Sequence, residues 1–155
     1  MSKSETAKAV ADFSLPATGG KPWSLKAHKG HNVVLYFYPR DNTPGCTREG
    51  EAFRDLHATF SQANTVIAGI SPDSVESHEK FKTKMRFPFE LLSDEERRIC
   101  KQFDVIQPKT LYGRKFIGVE RSTFLIDAAG KLRREWRKVK VDGHAEQVLE
   151  AVKSL

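Results

Sequence analysis

Cys46 stands in the stretch Pro39-Arg-Asp-Asn-Thr43-Pro-Gly-Cys46-Thr and is one of only two cysteines in the chain. The stretch follows an unbroken apolar run, Val33 to Tyr38, and precedes Ala52, Phe53, Leu56 and Phe60, which recur at helical spacing. Cys46 therefore falls between a strand end and a helix start. The first amides of a helix have no internal partners, point outward and favour an anion. A sulfur held there is stabilised as the thiolate, the form that attacks electrophiles. Thr43 brings a hydroxyl that can donate to or accept from the sulfur. Pro39 and Pro44 stiffen the loop and can keep water from one side. A merely buried cysteine belongs inside an element, and the Gly45-Cys46 approach to a helix start argues for reactivity instead.

The rest of the chain supplies the elements that hold this stretch. Ala11 to Leu25, with Gly19-Gly20, reads as an N-terminal hairpin or extended arm. Residues 33–38 form a strand buried on both faces, and 47–62 an amphipathic helix. Thr65 to Ile70 is the next strand, and Ser71-Pro-Asp-Ser turns the chain and caps a helix over 74–85. Phe89-Glu-Leu-Leu is a short strand. Ser93 or Asp94 caps a helix running through Phe103, with Glu95 and Glu96 in its first turn. Residues 107–120 hold Pro108, Gly113 and Gly118 and read as a loop or irregular strand. Ser122 to Asp127 is a strand, Ala128-Ala-Gly a turn, and Lys131 to Val139 the hairpin partner. Asp142 to Leu155 closes the chain as a helix with Val148, Leu149 and Val152 inward. Early alternation of strands and helices followed by a late hairpin predicts one α/β domain over 1–155, its central mixed sheet flanked by helices and residues 1–8 frayed. Active sites of open α/β sheets lie at the carboxyl ends of strands, where Cys46 falls.

Composition narrows the function classes. At 155 residues, 39% hydrophobic and 30% charged, the chain fits a single soluble domain. No apolar run approaches a membrane span of ~20 residues, and the polar start lacks a signal-peptide core, so a cytoplasmic protein without membrane partners is expected. Two cysteines are too few for a disulfide scaffold or a cysteine zinc cage. His28, His31, His57, His78 and His144 are scattered, which reads as surface or internally satisfied histidines rather than ligands. The net charge of +6 raises the question of an acidic partner. The densest basic run, Lys131-Leu-Arg-Arg-Glu-Trp-Arg-Lys-Val-Lys140, alternates like a strand with one wet face. Trp136 reads as packing, and nucleic-acid motifs are absent, so nucleic acid is not an expected partner.

The pattern Pro39-x-x-x-Thr43-x-x-Cys46 resembles the active-site motif of peroxiredoxins. The longer string Tyr36 to Thr47 is similar to the bacterioferritin comigratory protein, or PrxQ, branch. So are the opening Asp12-Phe-Ser-Leu-Pro, Gly69-Ile-Ser-Pro-Asp-Ser, Leu91-Leu-Ser-Asp-Glu and Arg121-Ser-Thr-Phe-Leu-Ile-Asp, in order along nearly the whole chain. The resemblance implies a thioredoxin-like fold and a thiol peroxidase acting on hydrogen peroxide or organic hydroperoxides. It implies Cys46 as the peroxidatic cysteine, Thr43 as a hydrogen-bonding partner of peroxide and sulfur, Pro39 as a shield, and Arg121 as the active-site arginine. Glu49 matches a common glutamate of the branch and reads either as support for the arginine or as an ordinary first-turn acid that suits the helix dipole. A fixed cation suits the chemistry, because charge builds on the departing oxygen and Arg does not lose its proton. Neither cofactor nor metal is implied.

Attack on peroxide leaves Cys46 as a sulfenic acid, which must meet a thiol or risk over-oxidation. Members of the branch carry a resolving cysteine five residues downstream, where this chain has Glu51, or in the helix here spanning 74–85, which has none. Cys100, in Arg97-Arg-Ile-Cys-Lys-Gln-Phe, reads as a small half-buried hydrophobe, with a resolving thiol as the alternative. The expectation is a one-cysteine mechanism in a monomer, with thioredoxin, glutaredoxin or glutathione as reductant. Phe87, Phe116 and Trp23 could line a pocket, with core packing the default for each. Three rivals remain: a disulfide oxidoreductase, disfavoured because Cys46-Thr-Arg-Glu49 replaces Cys-x-x-Cys; a nucleic-acid module using residues 131–140; and a peroxide sensor.

Overall fold

The computed structural model describes residues 7–155. Along the chain lie strands β1 (Lys8–Ala9), β2 (Ser14–Leu15), β3 (Trp23–Ser24) and β4 (Asn32–Phe37), then helices α1 (Pro44–Asp55) and α2 (His57–Gln62). Strand β5 (Thr65–Ser71), helix α3 (Val75–Met85), strand β6 (Glu90–Ser93) and helix α4 (Arg98–Gln102) follow. The chain ends with β7 (Ile106–Leu111), β8 (Arg114–Val119), β9 (Ser122–Ile126), β10 (Lys131–Trp136) and α5 (His144–Lys153). The main sheet runs β1-β10-β9-β4-β5-β6. Strand β4 pairs parallel with β5 and antiparallel with β9, so the sheet is mixed and β4 is central, as the apolar run 33–38 predicts. Expected fraying over 1–8 is corrected at Lys8, which pairs with Leu132 on the sheet edge; residues 1–6 of that stretch lie outside the described residues. The expected N-terminal hairpin is the short β2–β3 pair.

Alternation along β4 divides the core. Val33, Leu35 and Phe37 face Phe13, Trp23, Ile99, Cys100 and Phe103, while Val34, Tyr36 and Tyr38 face Cys46, Phe53, Phe60, Phe87 and α5. Helix α1 buries Cys46, Glu49, Gly50 and Phe53 against the second face, a stripe at i, i+3, i+4 and i+7. It starts earlier than the expected 47, because Pro44 is well suited to a first helical position. It ends at Leu56, whose φ of −100° and ψ of 2° separate α1 from α2, so the expected helix over 47–62 is two. The expected helix from Ser93 to Phe103 shrinks to α4, because Arg97 takes a left-handed φ of 58° just before it. Residues 107–120 are more regular than expected: β7 and β8 pair from Ile106–Val119 to Leu111–Arg114 and turn through Tyr112 and Gly113, both with positive φ. Among the described residues, no helix is long and apolar enough to cross a membrane.

Candidate active site

The carboxyl end of β4 delivers the chain into the loop 38–43, and Thr43 takes the extended N-cap conformation of α1. The first intrahelical bond runs from Thr47 N to Thr43 O at 2.9 Å. The amides of Gly45 and Cys46 precede it and have no helical partner. Cys46 is 2% exposed. Thr43 forms no side-chain cap; its hydroxyl donates to Arg40 O at 2.9 Å, leaving its oxygen lone pairs as acceptors. Pro39 is half-buried at the strand exit.

Arg121 reaches the same point from just before β9. Its Nη2 donates to Cys46 Sγ at 3.4 Å and its Nη1 to Glu49 Oε1 at 2.6 Å. Glycine at 45 permits this approach, since a Cβ there would lie 3.1 Å from Nη2. Gly50, one turn on, lets the helix backbone lie directly on Phe87, whose ring carbon would stand only 2.3 Å from an added Cβ. Glu49 is 1% exposed. Burial pushes its carboxyl up to about 7, against the pull of the Arg121 charge and hydrogen bond. Its second oxygen, Oε2, is buried without a hydrogen-bond partner among the described residues. Glu49 is therefore a buried partner of Arg121; the reading as a first-turn acid is corrected, because α1 starts at Pro44 and Glu49 lies beyond its first turn. His144, at the start of α5, also reaches this neighbourhood, and no motif or spacing in the sequence marks it. Its Nε2 meets Thr123 Oγ1 at 2.8 Å, and burial followed by the Arg121 charge lowers its pKa to about 4.

Cys100 is corrected from half-buried to fully buried, at 0% exposure. Its backbone amide donates to Asp94 Oδ2 at 2.7 Å, and burial followed by Asp94 pushes its thiol well up. It belongs to the opposite face of the sheet from Cys46. Trp23 and Phe87 are core residues, whereas Phe116 is 45% exposed. The basic run over 131–140 has many of its cations engaged internally. Arg133 pairs with Asp127, Arg137 with Glu135 and the Phe103 and Asp104 carbonyls, and Arg134 lies over Trp136. Trp136 itself packs on the α1–α5 core. The ligand atoms of Asp41, Asp73 and His78 lie within 4.8 Å of one another, but each is engaged in hydrogen bonds within the protein.

A nucleophile at a helix start, a guanidinium on its sulfur and a buried carboxylate behind that guanidinium can together cleave a polarisable bond whose leaving atom becomes anionic. The AhpC/TSA family model matches residues 6–135. The chain is similar to peroxiredoxin Bcp of Xanthomonas campestris pv. campestris, 48% identical over 150 residues that cover 97% of this chain and 94% of the relative. It is similar to the solved structure of the X. campestris bacterioferritin comigratory protein studied for alkyl peroxide reduction, with 48% identity, coverage of 92% and 90%, and a TM-score of 0.87. It also resembles a mutant PrxQ of Xylella fastidiosa, with 43% identity, coverage of 96% and 94%, and a TM-score of 0.91.

Proposed function

The chain belongs to the AhpC/TSA family, among the peroxiredoxins named Bcp and Q, and is a thiol peroxidase; from that premise we propose that Cys46 is its peroxidatic cysteine and works by a one-cysteine mechanism. The Cys46 thiolate attacks the terminal oxygen of hydrogen peroxide or an organic hydroperoxide. The O–O bond breaks, the sulfur becomes a sulfenic acid, and the alkoxide or hydroxide leaves with a proton as alcohol or water. The observation that carries this reading is the 3.4 Å contact between Arg121 Nη2 and Cys46 Sγ. A permanent cation there stabilises the thiolate before attack and the departing oxygen during it.

Roles for the neighbours follow from their contacts. Glu49 holds Nη1 of Arg121, which aims the other nitrogen at the sulfur. Thr43, with acceptor lone pairs at the helix entrance, accepts a hydrogen bond from the peroxide O–H and orients the attacked oxygen. Pro39 shields the loop from water, and Gly45 leaves room for the guanidinium.

The sulfenic acid is resolved by an external thiol. That step is supported by the burial of Cys100 on the far face of the sheet, where its thiol is disfavoured as a nucleophile. A thiol of glutathione, glutaredoxin or thioredoxin condenses with the sulfenic acid, releasing water and leaving a mixed disulfide. A second thiol then frees Cys46. The proposed working unit is a monomer, in which Cys46, Thr43, Arg121 and Glu49 meet within one chain. The two unpaired thiols suit a reducing cytoplasm. Peroxide consumption with each of the three reductants tests the reading. Wild type must turn over with at least one of them, and Cys46→Ser with none; turnover that survives Cys46→Ser overturns it.

A further inference from the structure

The loop that places Cys46 is tied to the sheet by a buried network that the chemistry above does not use. Asp41, in the middle of that loop, is 8% exposed. Its Oδ1 accepts from the Tyr38 hydroxyl at 2.6 Å, and its Oδ2 accepts from Ser77 Oγ at 2.7 Å. His78 Nδ1 lies 2.7 Å from the same Oδ2. The other ring nitrogen of His78, Nε2, lies 2.9 Å from Leu92 O on β6. A carbonyl can only accept, so Nε2 carries a hydrogen. The Asp41 amide in turn donates to Asp73 Oδ2 at 2.7 Å, and that oxygen also accepts from Ser71 Oγ at 2.9 Å. His78 itself is 0% exposed. Asp41 thus joins the loop 38–43 to α3 directly, to β5 through its amide and Asp73, and to β6 through His78.

We propose that His78 and Asp41 are positioning residues for the peroxidase reaction: a buried imidazole–carboxylate clamp that fixes the loop between β4 and α1, and with it the placement of Thr43 and Cys46 against Arg121. The proposal rests on Cys46 being the reacting thiol. The loop is the only covalent link between β4 and the helix start, and Asn42 within it takes a left-handed φ of 64°. That conformation costs a non-glycine residue free energy and persists where its surroundings hold it. Thr43 Oγ1 is itself set by Arg40 O, so the hydroxyl moves with the loop. Arg121, just before β9, lies outside the loop and reaches α1 through Glu49 and Cys46. Releasing Asp41 frees the loop, with Thr43 and the start of α1, relative to the β9 side of the site. A misplacement of about 1 Å between reacting groups costs on the order of 100-fold in rate.

Two amide substitutions separate positioning from mere folding. His78→Asn puts an amide nitrogen near the place of Nδ1 and keeps a donor to Asp41, while losing the bond to Leu92. His78→Gln reaches toward the place of Nε2 and keeps Leu92, while losing Asp41. The readout is the second-order rate of Cys46 with hydrogen peroxide in single turnover, by sulfenic-acid trapping and intact mass, alongside thermal unfolding. The clamp predicts His78→Gln slower than wild type by roughly 10- to 100-fold and His78→Asn within about threefold, whichever melts lower. If both variants react like wild type, or both slow equally, His78 does not act through Asp41 and the proposal falls. If wild-type Cys46 itself does not react, it is the peroxidase assignment that fails. Should His78→Gln not fold, Ser77→Ala removes one donor from the same Asp41 oxygen on a half-buried helix face. A rate at least roughly threefold lower then supports the clamp, and an unchanged rate overturns it.

Discussion

Replacing Arg121 by Met separates the two things that this side chain does. The guanidinium stands 3.4 Å from Cys46 Sγ and is 17% exposed. Two opposite unit charges at that distance attract by about 5 kcal/mol at an effective dielectric of 20 and by about 1 kcal/mol in water, so the thiolate loses an intermediate amount. Losing one donor aimed at a developing oxyanion costs on the order of 10²- to 10³-fold in rate. Arg121→Met should therefore slow the reaction of Cys46 with hydrogen peroxide by about 100- to 1,000-fold. Arg121→Lys should fall between, because one ammonium cannot hold Glu49 and the sulfur in the same fork geometry. The substitution also leaves Glu49 buried and unpaired. Breaking such a pair typically costs about 3–5 kcal/mol. Here the cost is smaller, because a carboxyl already at about 7 escapes by taking a proton. The double variant Arg121→Met, Glu49→Gln should accordingly regain stability in urea unfolding and regain none of the rate. The assay is stopped-flow or quenched single turnover against peroxide, with urea titration of each variant. Reasoning from the ion triad is refuted if Arg121→Met reacts within about threefold of wild type, or if the double variant recovers the rate along with the stability.

The buried acid and histidine make opposite predictions with pH. Glu49 is raised from 4.5 to about 7, so its contribution to stability is full below about 4.5 and is lost as pH rises to about 7. Glu49→Gln should remove that slope in denaturant titrations, and should also remove the gain in peroxide reactivity expected as the wild-type carboxylate forms around pH 7 and grips Arg121. His144 is lowered from 6.5 to about 4, so its contribution is present above 6.5 and lost as pH falls to about 4, a span worth up to roughly 3 kcal/mol. His144→Gln, which keeps a polar atom near Thr123, should flatten acid destabilisation over that window; an unchanged acid limb would show that the imidazole is not what limits it.

The chemical centre was the most legible part of the sequence, and for local reasons. An apolar run, two prolines and a glycine leave a cysteine few places to be except the first turn of the helix that follows β4. Pro44 was itself a helix-start signal and marks the first turn more closely than the apolar spacing did. Arg121 and Glu49 are 72 residues apart, so no spacing rule joins them; only the family resemblance did, and burial then decided between the two readings of Glu49. The β7–β8 hairpin was missed because its turn begins with Tyr112 in a positive φ, a position where a tyrosine gives no turn signal. The start of α4 was misjudged because the Asp94 carboxylate accepts from the amides of Ile99 and Cys100, five and six residues on, instead of capping the turn that follows it. His78 and Asp41 carry no periodic signature at all. Their meeting depends on α3 and the β4 loop being folded onto β6, a tertiary fact.

The central claim is that Cys46 is oxidised by peroxide and is not resolved within the chain. Its most direct test is the intact mass of wild type and Cys100→Ser after one equivalent of hydrogen peroxide, with a sulfenic-acid trap present. Equal trapping at Cys46 is expected in both proteins, with no monomer lighter by two hydrogens. A wild type that escapes the trap and closes a disulfide between Cys46 and Cys100 would contradict the one-cysteine mechanism. A Cys46 left unmodified in both would contradict the peroxidatic assignment itself.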